Sequence, residues 1–124
     1  MNWMPGGIIS VSSNGSTPGT GIVWVVVPAN GDANSYRGVK GMLLALNAED
    51  VSKELWRSQG HGLELSDTPD SLGLIARFAP PTIANGKVFV GNAGDKEPLK
   101  RWCPTQRPTS FPQNYGVVVY GLKH

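Results

Sequence analysis

Gly21-Ile22-Val23-Trp24-Val25-Val26-Val27-Pro28 is the stretch from which the fold can be read. Its six central residues are β-branched or aromatic, which favours a pleated strand, and Pro28 ends the run because it cannot donate to a ladder. Working outward, the same kind of segment recurs between turn signals. Ile8 to Ser12 alternates apolar and polar, as a half-buried strand does, and Asn14-Gly15-Ser16-Thr17-Pro18-Gly19 reads as the loop after it. Downstream, the turn-rich Asn30 to Gly38 leads to a strand over Met42 to Leu46, and Asn47-Ala48-Glu49-Asp50 turns the chain into a short strand over Glu54 to Arg57. Further strands are expected at Leu74 to Phe78, Thr82 to Ala84, Val88 to Val90 and Val117 to Tyr120. Two polar insertions separate them, Ser58 to Ser71 and Asn92 to Asn114. No segment keeps a 3.6-residue period, so the expected class is all-β.

Composition agrees with this and narrows the function classes. The chain has 124 residues, and its 16 glycines and 10 prolines make up roughly a fifth of it, which suits many turns and short strands. Charged residues are 16%, and the net charge of +2 is too small to mark a nucleic-acid footprint. No apolar run reaches the roughly 18 residues of a membrane span, and no basic-then-apolar leader opens the chain. The lone Cys103 rules out an internal disulfide framework. With only His61 and His124 beside it, no transition-metal site is expected, and His61 between two glycines reads as a loop residue.

The strands also repeat. Gly21-Ile22-Val23-Trp24-Val25-Val26 aligns with Gly86-Lys87-Val88-Phe89-Val90-Gly91, and Gly41-Met42-Leu43-Leu44-Ala45 with Gly116-Val117-Val118-Val119-Tyr120. Pro5-Gly6-Gly7 and Ala79-Pro80-Pro81 each introduce a strand. A repeated β-meander is the unit of a propeller blade.

Gly41 to Trp56 resembles the repeat of pyrroloquinoline-quinone (PQQ)-like β-propellers, with Gly41, Leu43, Ala45, Ala48, Lys53 and Trp56 matching. Asn47 stands where that pattern has Asp, Ser52 where it has Gly, and the turn is one residue longer. Phe78 to Gly91 resembles a blade opening, and Val118 to Leu122 a closing strand. Pro5-Gly6-Gly7 and Ser16 to Trp24 are similar to the C-terminal blades of large bacterial quinoprotein-like repeat proteins. The resemblance implies a single domain over 1–124, with blade 1 at about 6–58, a loop at 59–73 and an incomplete blade 2 at about 74–122. At roughly 40–50 residues per blade, the chain supplies about two four-stranded blades of a ring that needs about four or more.

Two flat blades leave faces and an edge strand uncovered. The chain is therefore expected to self-associate into a homo-oligomer, to belong with the blades of a longer parent chain, or to repack as a sandwich-like monomer. The expected function is a non-catalytic structural or interaction module. Packing or interface candidates are Trp3, Trp24, Trp56, Phe78, Phe89, Trp102 and Tyr120, since large rings dock between sheets and bury roughly 150–250 Å² each.

Other chemistry is weighed against this. Relatives of the quinoprotein type are enzymes that use PQQ and calcium, so a C-terminal fragment of a quinone-dependent dehydrogenase is one alternative, and a small-ligand or sugar-binding module with exposed Trp rings is another. Only the dehydrogenase reading calls for those cofactors, and no catalytic residue carries over by motif. Glu64, Asp67 and Asp70 are oxygen ligands by type but lack the spacing of a calcium loop, and a solvated loop is expected there. Lys96, Lys100, Arg101, Trp102 and Arg107 mix basic and aromatic groups, as single-strand nucleic-acid sites do, yet equally suit a solvated loop or a subunit contact. No nucleic-acid partner is expected. Cys103 beside Arg101 has no neighbouring histidine in sequence to act as base, and Gly19-Thr20-Gly21 lacks phosphate-loop spacing. The relatives look exported while the chain shows no leader, so the compartment stays open.

Overall fold

A computed structural model describes residues 7–59, 68–94, 100–101 and 116–121. Among the described residues there are nine strands and no helix: β1 (Ile8–Ser12), β2 (Ile22–Pro28), β3 (Tyr36–Arg37), β4 (Gly41–Asn47), β5 (Glu54–Arg57), β6 (Thr82–Ala84), β7 (Lys87–Asn92), β8 (Lys100–Arg101) and β9 (Gly116–Gly121). They make an antiparallel four-stranded sheet in the order β1-β2-β4-β5, an antiparallel three-stranded sheet β6-β7-β9, and the small pair β3-β8. The protein is all-β, as its β-branched runs and turn residues require.

Local chemistry explains the hairpins. Asn47 Oδ1 accepts from the amides of Glu49 (2.8 Å) and Asp50 (3.2 Å), which bends the chain between β4 and β5. The β4–β5 register shifts between Ala45 and Leu46, with Trp56 opposite Ala45 and Glu54 opposite Leu46, so Leu55 is one residue extra in β5. Asn85 and Gly86, at φ 50° and 69°, make the two-residue turn from β6 to β7, where the second position suits glycine best.

The two sheets share one core. Pairing registers put Trp24, Val26, Leu43, Ala45 and Trp56 on one face of the four-stranded sheet. On the three-stranded sheet they align Ile83 with Val88 and Tyr120, and Val90 with Val118. These two faces meet around the buried Leu72 and Ile75. A backbone link ties the sheets at one corner. The Gly41 amide donates to Gly73 O at 2.8 Å and the Ile75 amide to Val39 O at 2.9 Å; on the other side, Leu74 donates to Gly94 O and accepts from the Ala93 amide. Gly41 is needed at this close approach, because a Cβ there would lie 2.9 Å from Leu72 Cδ2 and 3.2 Å from the Ile75 backbone. At the opposite edge Ser10 Oγ donates to Pro81 O at 2.5 Å.

Three sequence expectations change. Leu74 to Phe78 is not a strand: Leu74 and Ile75 make isolated bridges to Lys40 and Asn92, and the chain then turns, with Phe78 at φ 62°. Asn92 does not open a polar insertion; it ends β7 with its side chain buried. The internal repeat does not hold a single register. Trp24 lies opposite Ala45 but Phe89 opposite Val119, so aligning Trp24 with Phe89 and Ala45 with Tyr120 is out by one residue across the pair. One residue is one face of a sheet. Trp24 accordingly points into the shared core, whereas Phe89 points away from it.

Candidate functional site

The side chains singled out by sequence divide between the core and the surface. Trp24 and Trp56 project inward from β2 and β5, and Tyr120 from β9. Trp56 and Tyr120 meet edge to face across the two sheets, ring centres 5.4 Å apart and planes at 67°, the offset geometry aromatic quadrupoles prefer. Trp24 Nε1 donates to Ser12 Oγ at 2.9 Å, which satisfies its one polar atom next to the core. Phe89 is half-buried on the outer side of β7, and Phe78 is 68% exposed. Phe78 is therefore a surface ring and packs no core. Trp3 and Trp102 lie outside the described residues.

Beneath the Trp56–Tyr120 contact runs a polar seam that sequence reading missed. Ser58 is fully buried just past β5; its amide donates to Leu43 O at 2.9 Å, and its Oγ accepts from the Leu43 amide at 3.0 Å. Thr68 Oγ1 donates to Ser58 O at 3.2 Å, and Tyr120 Oη donates to Asp70 O at 3.1 Å. Asn92 Nδ2 donates to Leu72 O at 2.8 Å, while its Oδ1 accepts from the amides of Gly94 and Gly116. Gln59 Nε2 donates to Gly41 O at 3.4 Å, and its buried Oε1 has no partner among the described residues. These groups tie the segment 68–74 to both sheets. The signal available in sequence was faint: Ser58 and Asn92 each sit at the end of a strand, where polar residues normally mark solvent.

Electrostatics follow the same geometry. Burial pushes the Tyr120 hydroxyl up to about 12, a hydrogen bond from Ser58 opposes the rise, and the Asp70 charge adds to it. A phenol held neutral over the whole physiological range is a packing and hydrogen-bonding group. On the outer side, Glu54 and Arg57 form a forked ion pair, and Glu54 raises the guanidinium above its ordinary value. Of the acidic loop residues, Asp70 contributes its backbone carbonyl to Tyr120, while Glu64 and Asp67, like His61, fall outside the described residues. Among the described residues no three His, Cys, Asp or Glu side chains converge to hold a metal. Of the basic loop, the described part is the backbone of Lys100 and Arg101, which pairs with Arg37 and Tyr36 as β8 against β3. Lys96, Trp102, Cys103 and Arg107 lie outside it.

What the arrangement can do is hold two sheets together and present their other faces. Registers place Ile9, Val11, Val23, Val25, Val27, Met42, Leu44 and Leu46 on the outer face of the four-stranded sheet. Ile9 and Val11, on the edge strand, are 59% and 61% exposed. The outer face of the three-stranded sheet carries Phe89, Val117 and Val119, the last two 64% and 49% exposed. These features define an all-β protein of two antiparallel sheets with apolar surfaces on both outer sides. Comparison of the chain with protein-family models, with curated proteins and with solved structures finds no match.

Proposed function

We propose that the chain is a non-catalytic structural and interaction module, built of two propeller-type blades of the PQQ-like repeat kind, that self-associates to cover its open faces. The observation that carries this reading is the double-sided apolar character of each sheet. Inner faces are consumed by the shared core, yet Ile9 and Val11 on one outer side, and Val117 and Val119 on the other, remain in water. Exposed apolar patches rimmed by polar residues mark association surfaces. The residues that resemble the propeller repeat support the blade reading by their placement: Leu43, Ala45 and Trp56 face inward from β4 and β5, and Ala48 and Lys53 form the turn between them. The chain contributes packing surfaces and edges, and no step of bond chemistry is assigned to it.

Sedimentation equilibrium of the purified protein over a wide concentration range tests this. A mass above that of one chain, rising with concentration toward a fixed multiple, is expected. A single 13.2 kDa species at every concentration would overturn it.

A further inference from the structure

The sequence contains three Asn-Gly pairs, Asn14-Gly15, Asn30-Gly31 and Asn85-Gly86, each in a turn or bend. This dipeptide carries a chemistry of its own. A glycine nitrogen has no neighbouring Cβ to hinder its approach, so it attacks the side-chain amide carbon of the asparagine before it. The new N–C bond closes a five-membered imide, and ammonia leaves with the proton that the nitrogen gives up. Water then opens the ring at either carbonyl. Opening at Cγ leaves aspartate in an ordinary backbone. Opening at the main-chain carbon leaves isoaspartate, in which the chain runs through the side chain and is longer by a methylene.

The fold treats the three pairs differently. Asn30 is half-buried and its Oδ1 accepts from the Lys40 amide at 2.7 Å, which holds the side chain in place. Asn14 and Asn85 are both exposed, and their side-chain amides take no partner among the described residues. A Cβ on Gly15 or on Gly86 would meet nothing within 4 Å. Access therefore does not separate these two pairs; backbone freedom does. Ring closure needs rotation about the asparagine Cα–C bond, to bring the glycine nitrogen to Cγ. At Asn85, held at φ 50° in a two-residue turn, that rotation pulls apart the Ala84–Lys87 pair that closes β6 on β7. At Asn14 the turn lies in the longer loop between Ser12 and Ile22. There the rotation breaks one exposed backbone bond, from the Thr17 amide to Asn14 O at 3.1 Å. Local opening costs least where the backbone bonds to be broken are few and solvated.

We infer that Asn14-Gly15 is a self-modifying site, at which the chain turns asparagine into isoaspartate and aspartate with water as the only co-reactant, ahead of its other two Asn-Gly pairs. The inference stands whether or not the chain self-associates. One carboxylate replaces a neutral amide, so the formal net charge falls from +2 to +1. The new charge enters the loop whose Gly19 amide donates to Glu49 Oε1 at 2.9 Å, a bond that fastens this loop to the β4–β5 turn. The test is to hold the purified chain in mildly alkaline buffer, digest samples over time and sequence the Asn-Gly peptides by tandem mass spectrometry. Isoaspartate is scored by enzymatic methylation. Asn14 is expected to convert at least about tenfold faster than Asn85, with Asn30 slowest. In urea, where the fold is lost, the three rates should converge. Asn14→Gln should abolish the first acidic species on ion exchange, and Asn85→Gln should leave it. Conversion of Asn85 or Asn30 as early as Asn14 in the folded chain overturns the inference, as does an early acidic species that survives in Asn14→Gln. A spread of rates that persists in urea overturns it too, because local sequence and not the fold would then set the order.

Discussion

The four-stranded and three-stranded sheets are both rich in valine and leucine, yet water reaches them differently. On β2 and β4, Val25 and Met42 are buried even though they face away from the shared core, so the centre of that sheet is covered on both sides. On β9, three consecutive valines alternate: Val118 is partly buried while Val117 and Val119 stand in solvent. An apolar run thus reports that a segment is a strand, and only pairing reports which of its residues are inside. The edges differ as well. β4 is closed by β5, while β9 pairs, among the described residues, with β7 alone.

The largest effects are expected where the sheets meet. Leu43 is fully buried in the four-stranded sheet and Val90 in the three-stranded one. Leu43→Ala should cost about 3–5 kcal/mol through lost burial and a residual cavity, and Val90→Ala about 2 kcal/mol. Chemical denaturation followed by tryptophan fluorescence and by circular dichroism measures both. The shared core predicts that both variants shift one common transition. A Val90→Ala protein in which the two probes separate would show that the three-stranded sheet unfolds on its own.

Next comes the seam. Asn92 satisfies one carbonyl and two amides from three different segments, so Asn92→Ala leaves Leu72 O without that partner and should cost about 2–3 kcal/mol by the same measurement. An unchanged midpoint would mean that the seam does not hold the sheets together. A smaller effect, about 1 kcal/mol, is expected of Gly86→Ala, because φ 69° in the β6–β7 turn strains any side chain. With one shared core this loss should lower the common transition, and local opening of the turn should speed amide exchange more in β6 and β7 than in β2 and β4.

Most of this architecture was legible in sequence, for a physical reason. Strands such as Ile22–Pro28 and Gly41–Asn47 are dictated by their own β-branched residues and closed by their own turns, as Asn47 does. What could not be read depends on partners far along the chain. Leu74 and Ile75 serve as a two-sided backbone link, where each residue answers to a different sheet. The pair β3-β8 joins Tyr36–Arg37 to Lys100–Arg101 through pairing, with two-residue strands too short to leave a period. The exposure of Phe78 follows from its left-handed backbone after a link that the sequence reads as a strand. The aromatic contact of Trp56 with Tyr120 was legible as two packing residues but not as a pair, since one closes the first sheet and the other the second.

An effect near neutral pH of the same size as that of Gly86→Ala, and the most specific to the junction, belongs to Tyr120. Its hydroxyl titrates near 12 in the folded chain against about 10 when exposed, so the native state holds its proton where the unfolded state has released it. Stability from this group is complete below about pH 10 and is lost as pH rises toward 12. Removing the hydroxyl by Tyr120→Phe deletes the hydrogen bond to Asp70 O, worth about 0.5–1.5 kcal/mol at neutral pH, together with the one from Ser58, and leaves the ring against Trp56. It should also flatten the alkaline limb of the stability curve. Ultraviolet titration is expected to show a late phenolate step near 12, and that step should vanish in Tyr120→Phe. If no such late step is seen while the protein stays folded, Tyr120 is solvated and the two sheets do not close over it. The shared core would then end at Val118, with the three-stranded sheet held by Val88 and Val90, the Leu74 link, Asn92 and the Ser10–Pro81 bond.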